Sequence, residues 1–208
     1  MKKLLVIFLL VIPLVFGFSQ TKRGNVGVGF GYNTIIESST VSGVKFKTYV
    51  PSIAANLAAS FLKNDKIGIG LYGSVLLPRY FKISALGSSI KVDNSAYDFL
   101  LGLDFLIGPT FYIVNKPKFR LPLSFGIHSY SLWSSVKPID NFLTEVGTGL
   151  NISTEFNLFS NFLIYLRVQA NYDIFAWGRE KNSGVKTTDM GFTRVFGIHP
   201  SAGIAIRF

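Results

Sequence analysis

The sequence predicts an all-β fold, a single up-and-down antiparallel transmembrane β-barrel of eight strands, and three observations carry that expectation. A leader of export type opens the chain, period-2 runs of side chains fill the remainder, and the connections between runs alternate between tight and long. Hydrophobic residues make up 49% of the chain and mean hydropathy is +0.38, yet beyond Gln20 no apolar stretch is long enough for a membrane helix. The apolar surface must therefore be spread over many short segments. Aromatic content of 15%, with twenty Phe and nine Tyr, suits strands, and twenty Gly suit strands whose inner face has little room.

In the leader, Lys2 and Lys3 precede an apolar run from Leu4 to Phe16, followed by Gly17, Phe18 and Ser19. A basic start, a short apolar stretch and small residues make a signal peptide over residues 1–19, cleaved before Gln20 within about two residues. Residues 20–208 then form one barrel domain, because no linker or change of composition interrupts them. The absence of Cys excludes both a lipidated N-terminal Cys and disulfides. Formal charge is +10 and falls to +8 once Lys2 and Lys3 are removed. The Lys residues sit mainly in connections rather than in one stripe with interleaved aromatics, which argues against nucleic acid as a partner. Attraction to anionic lipid head groups fits better.

The strands fall near residues 25–36, 44–61, 67–83, 97–113, 119–133, 143–156, 162–177 and 191–208. In the first, Gly27, Gly29 and Gly31 share a face, as close packing inside a narrow barrel requires. In the fourth, Phe99, Leu101, Leu103, Phe105, Ile107, Phe111 and Ile113 oppose Asp98, Gly102, Asp104, Gly108 and Thr110. In the seventh, Ile164, Leu166, Val168, Ala170, Tyr172 and Ile174 oppose Tyr165, Arg167, Gln169, Asn171 and Asp173. In the eighth, Ile198, Pro200, Ala202, Ile204, Ile206 and Phe208 oppose Gly197, His199, Ser201, Gly203, Ala205 and Arg207. A soluble barrel would have to turn these bulky apolar faces inward and coat its outside with glycine, so the sorting favours lipid outside and a tight polar lumen.

Tight polar connections at 63–66, 115–118 and 157–161 alternate with longer ones at 37–43, 84–96, 134–142 and 178–190, which puts both termini at the tight-turn end. Aromatics sort into two bands. Near the long connections lie Tyr32, Tyr80, Phe81, Tyr97, Tyr130, Trp133, Phe142, Tyr172, Phe175, Trp177 and Phe192, and near the tight turns lie Phe61, Phe111, Tyr112, Phe119, Phe156, Phe159, Phe162 and Phe208.

The whole mature chain, with its alternating final strand ending on Phe208, resembles the small eight-stranded outer-membrane barrels, namely the transmembrane domain of OmpA and the OmpX and OmpW types. The resemblance implies an integral outer-membrane protein with extracellular loops and periplasmic termini. It also implies that Phe208 is the assembly signal read by the barrel-assembly machinery, and that outer-membrane lipid is a partner.

An eight-stranded interior is about wide enough to be filled by side chains. The inward faces hold a lumen charge network of Asp98, Asp104, Glu145, Glu155 and Asp173 with Arg120, Arg167 and Arg207, and His128 and His199 lie among them. Arg120 and Glu155 stand level near the tight-turn ends of adjacent strands, while Arg167 and Asp104 lie near mid-depth. Such charges must be paired. Three roles follow: a non-enzymatic narrow pore or structural barrel with surface-exposed loops, an adhesin that binds host matrix or serum proteins through segments such as 84–93 and 178–186, and a lipid A-modifying hydrolase. The last rests on His199-Pro200-Ser201, which resembles the H-x-S element of outer-membrane lipid A deacylases; both side chains face the lumen, away from any lipid ester. No enzyme, cofactor, metal or catalytic residue is expected, since the glycines lie within a strand and two His on different strands make no metal site.

Overall fold

The computed structural model describes residues 24–41, 43–159, 161–182 and 185–208; the expected signal peptide and its cleavage site lie outside the described residues. The strands are β1 (Gly24–Val41), β2 (Val44–Leu62), β3 (Ile67–Pro78), β4 (Tyr80–Ala85), β5 (Ser88–Asp93), β6 (Phe99–Asn115), β7 (Phe119–Val136), β8 (Ile139–Phe159), β9 (Phe162–Asn182) and β10 (Val185–Arg207). All pairings are antiparallel. The order β1-β10-β9-β8-β7-β6-β3-β2 closes through a β1–β2 pairing into a ring of eight strands, and β4 and β5 extend from the upper edge of β2.

Local chemistry sets the turns. In the β2–β3 connection the Asn64 Oδ1 accepts the backbone N–H groups of Lys66 at 2.9 Å and Ile67 at 2.8 Å, an Asx turn that reverses the chain within four residues. The β4–β5 hairpin turns on Leu86 and Gly87, with φ of 50° and 80°, the handedness that matches strand twist in a two-residue loop. At the tight-turn end of β8, the Asn157 side-chain amide donates to the Pro117 carbonyl, tying adjacent tight turns together.

Three sequence expectations need correction. The long connections at 37–43, 134–142 and 178–190 are mostly strand: β1 continues to Val41, β7 to Val136 and β9 to Asn182, because ladder pairing carries on beyond the apolar band. The segment 84–96 is likewise structured, as the end of β4, the strand β5 and a 3-10 turn at Asn94–Ala96. The third strand is broken at Arg79, with β2 advancing three residues from Tyr49 to Ser52 while the opposite chain advances four, from Pro78 to Lys82. This extra residue is a bulge, and it reverses the facing of every side chain above it.

Smaller register shifts occur on β6 between Tyr112 and Val114 and on β9 and β10 around Ile174 and Phe192–Val195, and between these points the alternation holds around the ring. Buried residues on β9 are Leu163, Tyr165, Arg167, Gln169, Asn171 and Asp173, while Ile164, Leu166, Val168, Tyr172 and Ile174 are exposed on the outer wall. Aromatic rings meet on that wall near both ends, as Trp133, Phe142 and Trp177 on one side and as Phe119 with Phe156, Phe159 with Phe162 and Phe61 with Phe208 on the other. Tyr112 and Tyr130, assigned by sequence to those bands, are buried inside the barrel, because both stand on the polar parity of their strands. Phe81 packs inward as well, carried there by the Arg79 bulge.

Candidate functional site

The lumen is filled in layers. At the tight-turn end Arg120 and Glu155 are direct cross-strand partners on β7 and β8, with Arg120 Nε 3.6 Å from Glu155 Oε2. The Arg120 side chain is 2% exposed, its guanidinium lies 5.7 Å from the centre of the Tyr112 ring, and Asn25 Nδ2 donates to Glu155 Oε1 at 3.0 Å. Ser60 links Asn25 to the Tyr112 hydroxyl, so this layer joins β1, β2, β6, β7 and β8.

Above it, Arg167 is buried between the rings of Tyr72 and Tyr165, 5.2 and 5.8 Å from their centres, and its Nε donates to Ser201 Oγ at 3.0 Å. Glycines make this layer possible. A Cβ on Gly29 or Gly203 would stand 2.5 Å from the Tyr165 hydroxyl, so only bare backbone lets that ring lie across β1 and β10. Arg167 and Asp104 share the interior but not a salt bridge, and the guanidinium is held instead by aromatic faces.

At mid-depth the site converges on Asp104. Its Oδ1 accepts Gln169 Nε2 at 2.8 Å, and its Oδ2 lies 3.2 Å from Asn33 Nδ2, 3.3 Å from Asn171 Nδ2 and 3.2 Å from His128 Nε2. His128 Nδ1 lies 2.7 Å from Asp173 Oδ1. The His128 ring is thus flanked by a carboxyl group at each nitrogen, and Asp104, His128 and Asp173 form a buried polar triad. The carboxylates and the ring are at most 3% exposed, and with Asn33, Gln169 and Asn171 they tie β1, β6, β7 and β9 together across the lumen.

An apolar cluster of Ile35, Val50, Ala54, Leu76, Tyr130 and Val195 begins beside the triad, with Tyr130 the cross-strand partner of Asp104 and Val195 that of Asp173, and extends toward the long-strand end with Ile35 and Val50. Sequence parity concealed this layer, because Ile35 and Val195 occupy inward positions on strands whose other inward residues are mostly polar or small. The signal available was the loss of a clean polar face above Asn33 and Ser52.

The remaining candidates lie apart from the triad. Glu145 is buried beside Tyr130, its cross-strand partner. Asp98 is not in the lumen: it precedes β6 at the exposed rim, where its Oδ2 accepts the Lys137 backbone N–H at 3.1 Å. Arg207 is half-buried near the tight-turn end. Phe208 exchanges both backbone hydrogen bonds with Gly24, at 3.0 and 3.1 Å, and so closes the seam between the first and last strands. His199 and Ser201 share the inner face of β10, but Ser201 Oγ is taken by Arg167, and neither His199 ring nitrogen has a hydrogen-bond partner among the described residues. Among the described residues no acidic or imidazole group is arranged to hold a metal ion.

No protein-family profile and no curated protein matches the chain. Solved structures do. OprG from Pseudomonas aeruginosa superposes with a TM-score of 0.61 at 14% identity, over 90% of this chain and 97% of its own. Neisserial surface protein A gives 0.57 at 12% identity, over 89% and 97%. The outer membrane protease OmpT from Escherichia coli gives 0.51 at 9% identity, over 90% and 97%. At these identities the likeness speaks to architecture alone. With its closed ring, apolar outer wall and charged interior, the chain has the fold of a small outer-membrane β-barrel.

Proposed function

We propose that this chain is a non-enzymatic integral protein of the outer membrane, with its tight turns and termini periplasmic, whose lumen is shut at rest and passes ions only when the mid-depth cluster rearranges. The observation that carries the reading is Asp104, 3% exposed and contacted by Asn33, His128, Gln169 and Asn171 against a cluster of apolar side chains. A polar column interrupted by an apolar layer blocks hydrated ions at the layer, and fixed charges beneath it select what passes once it opens. The hydrolase alternative has little to stand on, because a nucleophilic Ser needs a base within hydrogen-bond reach and Ser201 has Arg167 instead.

A second reading, adhesion, is favoured by the outer ends of β9 and β10. A strand needs about 9–11 residues to cross a membrane, and β9 and β10 have 21 and 23. Their projecting ends expose Val185, Met190 and Phe192, the last at 93%. Exposed apolar side chains on a rigid projecting hairpin suit a protein partner such as a host matrix or serum protein.

Planar-bilayer recording separates the two. Asp104→Ala removes the acceptor of four side chains, so steps rare or absent in the wild-type chain should become frequent, with His128→Ala acting in the same direction. If neither variant conducts and the wild type binds a matrix or serum protein saturably, the barrel is a scaffold for its outer strands.

A further inference from the structure

The Arg79 bulge has a consequence on the outer wall. On β2 the outward parity runs Phe61, Ala59, Leu57, Ala55, Ile53, Pro51 and Tyr49, with Ala59 and Pro51 buried among their neighbours, and then turns to Lys47 and Lys45. The twelve steps from Phe61 to Tyr49 rise about 3.3 Å each along a strand tilted about 40°, so they climb about 30 Å and span the apolar band of about 25 Å. Charge begins where that band ends. On the neighbouring chain the outward row ends at Leu77, and the extra residue at Arg79 then brings Tyr80 and Lys82 to the outside while Phe81 turns inward. Without the bulge, Lys82 would point into the mouth and Phe81 into the membrane interface.

The sheet formed by the outer ends of β1 and β2 with β4 and β5 therefore carries Lys45, Lys47, Lys82 and Lys91 on one outward face, all of them exposed. Lys82 and Lys91 are direct cross-strand partners, and Lys47 is the diagonal neighbour of Lys82. Like charges directly opposed across a ladder are unfavourable, and the face holds one carboxylate, Asp93, 2.8 Å from Lys91 Nζ. Tyr80 supports the cluster, with Lys91 Nζ 4.6 Å from its ring centre. Four cations against one anion, on a rigid sheet continuous with the lipid-facing wall, call for an anionic partner at headgroup height.

We propose that this face binds the phosphate groups of an outer-leaflet glycolipid, a doubly phosphorylated and multiply acylated molecule of the lipid A class, whose chains lie along the exposed side chains of Ile53 and Leu77 beneath the lysines. The position favours lipid over a soluble polyanion, since the lysines face sideways from the barrel rather than into its mouth. The inference rests on the reading that the barrel spans a membrane, and heat-dependent gel migration tests that reading separately.

The mature chain is refolded into phosphatidylcholine vesicles containing lipid A, extracted in mild detergent, and the lipid A retained is counted by native mass spectrometry. Lipid A occupies both leaflets of such vesicles, so the orientation of the barrel does not affect the result. Each lysine near an anionic surface is worth about a factor of five, so Lys45→Gln with Lys47→Gln, Lys82→Gln and Lys91→Gln should lower retention more than about tenfold. Lys63→Gln with Lys66→Gln, Lys116→Gln and Lys118→Gln removes the same charge at the tight turns and should retain lipid A as the wild type does. Dephosphorylated lipid A should not be held, and inorganic phosphate should not displace the bound lipid. Equal retention by the rim variant, or equal loss in the turn variant, overturns the proposal. So does a wild-type chain that holds a soluble sulfated oligosaccharide but no lipid A.

Discussion

Arg120 shows what one inward charge demands of its neighbours. Its side chain is 2% exposed, and the carboxylate nearest to it belongs to its cross-strand partner Glu155. Removing one member of a buried pair leaves the other charge without compensation, which costs about 3–5 kcal/mol, whereas replacing both with neutral side chains costs far less. Arg120→Ala should therefore destabilise the barrel by that order in urea unfolding from lipid vesicles. Arg120→Met with Glu155→Gln should recover most of the loss, helped by Asn25, whose side-chain amide can donate to the carboxamide oxygen of the double variant as it does to the carboxylate. Additive losses from the two sites would mean that the side chains do not interact.

The final strand illustrates how an element depends on its last residue. β10 pairs with β9 along nearly its whole length, but its other edge must find β1 to close the ring, and Phe208 supplies the last two backbone bonds of that seam to Gly24. Its ring lies 6.4 Å from Phe61 on β2, so the seam is covered on the lipid side by residues from both sides of it. Deleting Phe208 leaves both backbone bonds to Gly24 unmade at the membrane end of the seam and strips its aromatic cover beside Phe61. Assembly into membranes should fall, seen as protein that stays protease-sensitive in cell fractions; unchanged insertion would remove Phe208 from any part in assembly.

For the molecule as a whole, ring closure is what confers persistence. Every strand of the ring has two partners, and the interior is crossed by the Arg120, Arg167 and Asp104 layers, so no edge offers a starting point for unfolding. The refolded chain should resist detergent at room temperature and migrate on gels at a different apparent size before and after boiling. A single unshifted band together with a helical circular-dichroism spectrum would be incompatible with the closed ring.

The eight strands of the ring, the facing within each uninterrupted run and the periodic outer wall were legible in sequence because each follows from a period-2 pattern that any strand imposes on itself. The level placement of Arg120 and Glu155 was legible too, since each lies within a few residues of a tight turn at the same end of the barrel, although the register between β7 and β8 is set at their other end, where Val136 pairs with Ile139. Three features required the folded barrel. The Arg79 bulge adds one residue to a run that reads as continuous, and only pairing with β2 reveals that the facing flips. Asp104 and its partners come from β1, β6, β7 and β9, so their convergence depends on closure, which no local pattern encodes. The strands also outrun the apolar band, because ladder hydrogen bonding continues wherever two chains remain side by side, whether lipid or water lies outside. Sequence by itself thus determined the period-2 sorting within each uninterrupted run. Tertiary structure decided which of those side chains meet, since contact across a lumen is a property of the closed ring and not of any segment in it.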